Sequence, residues 1–126
     1  MAKWIAMAFD VSVTQKQFYT RVAIKGTPGI DELVALIHVL GVDSSNWKHD
    51  ALLVDLRQVS TPFSEAEQRT LGLETAASLA HLRKIASVVP RERVTRISEK
   101  AARRDGTQVT VFDDEKEALA WLQAAD

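Results

Sequence analysis

Ala51-Leu52-Leu53-Val54-Asp55-Leu56, followed eight residues on by Ser64-Glu65-Ala66-Glu67, decides the fold. The first stretch is short, apolar and bounded by polar loop, which predicts a buried strand. The second, just after Pro62, reads as a capping box: a serine hydroxyl accepts the N–H three residues on, and the glutamate there accepts the serine N–H. It predicts a helix from about Glu65 to His81, with the small residues Ala76, Ala77 and Ala80 where a helix lies close on a sheet. A buried strand leading directly into a helix is the building unit of a parallel sheet.

Upstream, Trp4 to Val13 reads as one strand, Thr14-Gln15-Lys16-Gln17 as a polar turn and Phe18 to Lys25 as a second strand. Phe18, Thr20, Val22 and Ile24 fall on one face of that second strand, and Tyr19, Arg21, Ala23 and Lys25 on the other, the period of a half-buried strand. The short link makes the pair a hairpin. Lys3 and the apolar Trp4–Phe9 resemble the opening of a signal peptide, but the run ends after six residues at Asp10, shorter than an export core. No window approaches the roughly 18 apolar residues of a membrane span, so a soluble chain without stable membrane insertion is expected. Trp4 to Phe9 is apolar on both faces at the sheet edge, which predicts cover by an overlying helix or by a homodimer through this strand. Thr27 as N-cap, Pro28 as first helical residue and Asp31-Glu32 in the first turn start a helix that Gly41 would close. Val42 to Asp50 is the longest loop.

Downstream, Ile85 to Val89 reads as a strand ended by Pro90, Arg91 to Arg104 as a helix closed by Gly106, and Thr107 to Phe112 as the last strand. Asp114 and Glu117 form a second capping-box pair, opening a helix from Glu115 to Ala124. The order ββαβαβαβα predicts an α/β fold with a mostly parallel sheet in sequential order and an antiparallel N-terminal hairpin. Arg21, Lys25, Gln108 and Thr110 set polar groups on alternate positions of two strands, so helices are expected mainly on one face.

Composition agrees. A chain of 126 residues with 46% apolar and 26% charged residues has the balance of one globular domain, residues 1–126. It has no cysteine, which excludes disulfides, zinc ribbons and thiol catalysis and points to the cytoplasm. A net charge of −1 supplies no general attraction to nucleic acid.

The element order, Gly26-Thr27 after the second strand, Leu53-Val54-Asp55-Leu56, and the ending Val111-Phe112-Asp113-Asp114 with Glu117-Ala118-Leu119-Ala120-Trp121-Leu122 resemble the STAS domain over roughly residues 8–124. The closer likeness is to its SpoIIAA-like branch of small bacterial proteins, some described as relatives of lipid-binding Sec14-type domains. The resemblance implies a protein-interaction module, in some members an anti-sigma-factor antagonist. In antagonists the loop after this strand carries an Asp-Ser-Ser-Gly-like motif with a phosphorylated serine. Here Asp55 and Val59 match and Ser64 lands on that serine, while Phe63 replaces the acidic residue before it and Glu65-Ala66 replace Ser-Gly.

Ser64 therefore has two readings, a helix N-cap and a phosphosite facing the positive end of a helix dipole, with the capping box favouring the cap. The candidate interaction loop is Asp55, Arg57, Ser60, Thr61 and Ser64. Asp55 stands at the carboxyl end of the predicted strand, where open α/β sheets place functional groups; the competing reading is a hydrogen bond to the following turn. Arg93, Arg96, Lys100 and Arg103 are spaced 3, 4 and 3 apart and would share one face of a helix. Arg91 with the first three of them forms a candidate anion site (Arg91, Arg93, Arg96, Lys100); against it stands a solvated face with Glu92–Arg96 and Glu99–Arg103 pairs. No aromatic residue interleaves with the stripe, which argues against nucleic acid. His38, His49 and His81 are scattered, so no metal site is expected, and no cofactor loop or catalytic arrangement is visible. The leading expectation is a non-enzymatic interaction module with an unidentified protein partner. The alternative is a carrier or sensor of a small anionic or lipid-like ligand, which an apolar cavity between helices and sheet would favour.

Overall fold

The computed structural model describes residues 2–5, 9–104 and 106–124, the first four by their backbone. Among the described residues six strands run in the order β1 (Ala2–Ile5), β2 (Phe9–Gln15), β3 (Thr20–Gly26), β4 (Ala51–Val59), β5 (Lys84–Val88) and β6 (Val109–Phe112), each beside its sequence neighbour. The helices are α1 (Ile30–Asp43), α2 (Glu65–Leu79), α3 (Ile97–Arg104) and α4 (Glu115–Gln123). β1–β2 and β2–β3 pair antiparallel, and β3 through β6 are parallel.

The sequential, mostly parallel sheet is as expected, with one more strand at its start. The run from Trp4 to Val13 is two strands rather than one, with Ala2 opposite Val13 and Ile5 opposite Asp10. An apolar run without Gly, Pro or Asn carries no punctuation to mark such a reversal. β1 is indeed the sheet edge; the side chains of Trp4, Ile5 and Met7, on which the expected cover of this edge bears, lie outside the described residues.

Right-handed crossovers between strands added in one direction must all lie on the same side of the sheet. Accordingly Leu33, Leu36 and Leu40 of α1, Ala76 and Leu79 of α2 and Ala102 of α3 pack on Val22, Ile24, Leu52, Ile85 and Val109. α4 is no crossover and is free to take the other face, where Ala118 and Leu122 meet Leu53, Ala86 and Val88. Leu52 and Leu53 point to opposite faces and are both fully buried, as a central strand requires.

Several local expectations are corrected. The α1 N-cap is Gly29, not Thr27, with its N–H donating to Glu32 Oε1 at 2.9 Å. Gly41 does not end α1; a Cβ there would come within 2.7 Å of Ser78 O, as one on Gly72 would within 2.3 Å of Ser98 O. Both glycines let α2 lie against its neighbours. Ala77 and Ala80 are exposed, so of the three alanines only Ala76, beside Leu79, faces the sheet. Asp114 caps α4 through Lys116 N at 2.8 Å, without the reciprocal bond expected from Glu117. The predicted helix from Arg91 is a 3-10 turn at Arg91–Arg93, then an extended link, and only then α3 from Ile97. The β-branched Val94 and Thr95 disfavour a continuous helix there.

Candidate functional site

Two arrangements stand out, one on each face of the sheet. The first is an ion cluster on the α4 side. Asp55 Oδ2 accepts from Arg21 Nη2 at 2.7 Å and from Arg57 Nη2 at 2.9 Å, and Asp55 Oδ1 accepts from Arg57 N at 3.1 Å and Nε at 2.9 Å. Glu115, in the first turn of α4, accepts from Arg21 Nε at 3.0 Å and from Arg57 Nη2 at 2.6 Å. β4 runs on to Val59, so Asp55 lies inside the strand rather than at its end, and its bond to the N–H two residues on closes no turn. The register against β3 slips one residue between Asp55 and Gln58, a bulge that frees Arg57 to fold back over Asp55. The Arg57 guanidinium, above all, holds the Asp55 carboxyl down at about 2. The hydrogen bond from Arg21 holds Glu115 below its ordinary value and in turn raises Arg21. Burial, with Glu115 adding, pushes the neighbouring Tyr19 phenol up.

The second arrangement is a cavity of about 350 Å³ on the three-helix side. Leu33, Leu56, Phe63, Leu71, Val89 and Val111 supply its apolar wall, and Glu92, Arg93 and Arg96 stand among its lining residues. A further space of about 110 Å³, reaching in among Leu36, Leu79 and Val109, shares Leu33, Leu56, Leu71, Ser87 and Ser98 with it. The hollow opens where α3 starts late: the link through Val94 and Thr95 supplies no helical turn to fill it. Arg93 Nη1 donates to Val59 O, and Thr95 Oγ1 to Gln68 Oε1, which tie the link across the mouth.

The expected basic stripe is not a helix face. Arg96 has a left-handed backbone (φ 63°), and its Nη1 donates to Glu99 Oε2 at 2.8 Å and Val111 O at 3.3 Å. Arg103 Nε donates to Val109 O at 2.8 Å, and the buried Glu99 accepts Val111 N at 3.0 Å. Together Arg96, Glu99 and Arg103 satisfy the outer backbone groups of β6, a sheet edge otherwise open to pairing. Arg91 meets Asp113 at 3.0 Å, and Lys100 is exposed. The expected Glu99–Arg103 pair is present at 3.9 Å, whereas Arg96 pairs with Glu99 in place of Glu92. Upstream, the buried Lys84 caps α4 by donating to Trp121 O at 2.8 Å and Ala124 O at 2.9 Å.

The interaction-loop residues do not form one site: only Asp55 and Arg57 enter the ion cluster, only Thr61 lines the cavity, and Ser60 and Ser64 stand outside both. Thr61 Oγ1 donates to Pro28 O at 2.7 Å, Ser60 N to Gly26 O at 2.9 Å, and Ser64 Oγ accepts Glu67 N at 3.1 Å, the N-cap of α2. His38 is exposed and meets Glu74 at 2.7 Å, and His81 meets Ser44 Oγ at 2.7 Å. Among the described residues no three His, Asp or Glu side chains converge as a metal would need, and no helix is long and apolar enough to cross a membrane. Arg21 and Glu115 were not legible as partners of Asp55: they lie 94 residues apart, and only the polar position of Arg21 in a buried strand hints at an ionic partner.

The SpoIIAA-like family profile matches residues 19–123, which take in both arrangements. The chain belongs to the SpoIIAA-like family. Its fold is that of an anti-sigma factor antagonist from Mycobacterium paratuberculosis, 17% identical, with a TM-score of 0.66 over 93% of this chain and 96% of that one. An uncharacterized DUF3478-family protein with a SpoIIAA-like fold from Shewanella loihica PV-4 is 15% identical, with a TM-score of 0.56 over 91% and 93% of the two chains. No curated protein matches the chain. The SpoIIAA-like match begins at Tyr19, so β1 and β2 lie ahead of it.

Proposed function

We propose that this SpoIIAA-like chain is a non-enzymatic ligand-binding module, a carrier or sensor of a small, largely apolar molecule. The observation that supports it is the cavity of about 350 Å³, within the roughly 300–1,000 Å³ of small-molecule sites and mostly apolar in its wall. The ion cluster does not suit acid–base catalysis. Its carboxylates are each paired with two guanidiniums, and Asp55 at about 2 is far from the neutral range a general base needs. Native mass spectrometry of protein purified from its own cell tests the reading. A bound small molecule, absent from a Ser87→Leu variant that narrows the cavity, is the expected result. A ligand-free chain, or the same adduct on the variant, would sink it.

A second reading, the regulatory protein-interaction module, draws on the likeness to an anti-sigma factor antagonist over nearly the whole chain. Its surface would be Ser60, Thr61 and Ser64 with the first turn of α2, beside the cavity mouth. Phosphate on Ser64 and pairing of two chains through β1 belong to this reading, and the same spectrum reports both masses.

A further inference from the structure

We infer that the cavity takes a monocarboxylate: one negative charge on an apolar body, with the carboxylate held by Arg93. The inference rests on the reading of this cavity as a ligand site. Its wall selects the body, since Leu56, Phe63, Leu71 and Val111 offer no hydrogen bond from their side chains. The charges around the mouth select the head. Arg96 is bound to Glu99 and Val111 O, and the nearby Arg91 to Asp113. Arg93 has no carboxylate partner among the described residues; it donates one N–H to Val59 O, itself part of the lining. A guanidinium has five N–H donors, so a two-pronged edge remains for a carboxylate. Glu92 stands at the same rim and opposes a second negative charge, which disfavours a phosphate monoester. Beyond the mouth, Ser87 and Ser98 line both the main cavity and its inner extension, and neither hydroxyl is bonded among the described residues. The body of the acid would pass between them toward Leu36 and Leu79.

Calorimetry on the full chain tests this with decanoate below its micelle concentration, decanol, decyl phosphate and phosphatidylglycerol vesicles. Decanoate is expected to bind one molecule per chain, and decanol and decyl phosphate more weakly by roughly tenfold, the scale of a charge-assisted hydrogen bond. Arg93→Gln should remove that preference, while Arg91→Gln should keep it and Ser87→Leu should weaken all three free probes. Decanol or decyl phosphate binding as tightly as decanoate, or Arg93→Gln keeping the preference, would overturn the carboxylate assignment and leave the cavity a ligand site. Binding of vesicles alone, or free-probe binding indifferent to Ser87→Leu, would overturn both.

Discussion

On one side of the sheet α4 alone seats Ala118 and Leu122, both fully buried, directly against Leu53, Ala86 and Val88. On the other, three helices share the cover, and about 350 Å³ stays open where α2, α3 and the ends of β4 and β5 fail to meet. The charges follow the same division. On the α4 side Arg21, Arg57, Asp55 and Glu115 neutralise one another. On the three-helix side Arg96 and Arg103 serve the β6 edge, and Arg93 is left facing the hollow with only a carbonyl. A helix returning after the last strand can choose its seat, whereas three crossovers are held where the strand spacing and their loops put them. The solid side is thereby suited to stability and the hollow side to binding.

The sharpest way to break this contrast is to cut a large side chain on each side. Leu122→Ala should cost about 3 kcal/mol, since a fully buried leucine leaves a new cavity behind. Leu71→Ala, which only enlarges an existing hollow and is partly buried already, should cost roughly half as much. Urea denaturation of the two variants measures both. Equal losses would mean that the three-helix side is as tightly packed as the other.

Next in size is the ion cluster. Asp55→Asn should cost about 2 kcal/mol near neutral pH, because two guanidiniums lose a charged acceptor, with the exposed edge of Arg57 trimming the effect. The Asp55 carboxyl sits at about 2 when folded against an ordinary 3.8. A carboxylate held below its unfolded value contributes stability that is present above 3.8 and lost as pH falls through about 2. Wild-type stability should therefore decline across that window, and the Asn variant should decline less, Glu115 supplying the remainder. Parallel pH profiles for the two proteins would place the stabilisation elsewhere.

What was legible in advance divides along physical range. β4 and the start of α2 depend on neighbours within a few residues, and their apolar run and capping box announce them. The doubled N-terminal strand was hidden because nothing between Ile5 and Phe9 is a turn residue by type. Spacing alone made Arg93, Arg96, Lys100 and Arg103 a stripe; spacing is meaningful only inside a helix, and the helix begins at Ile97. The partnership of Asp55 with Arg21 and Glu115 joins residues far apart in the chain, and no local pattern encodes it. The cavity is the least legible feature, since an unfilled volume is the difference between where helices are held and what their side chains occupy.

The smallest expected effect tests the point where the two readings of the hollow side meet, Ser64. Its hydroxyl accepts Glu67 N at 3.1 Å, and its own N–H donates to Glu67 Oε1 at 2.9 Å. Alanine removes the acceptor and should cost about 1 kcal/mol, whereas aspartate is itself a good cap and should stay within a few tenths of that value of wild type. A phospho-switch assigns the same two variants opposite roles: aspartate would mimic the charged form and disturb partner binding, and alanine would leave binding intact. Glu65 and Glu67 already place two negative charges in that first turn, so a phosphate would gain from the helix dipole and lose to its neighbours. The expected outcome is the cap pattern, with thermal stability falling for Ser64→Ala and no binding defect specific to Ser64→Asp. Phosphate on Ser64 in protein from its own cell, together with partner release by Ser64→Asp, would move the working surface from the cavity to the start of α2.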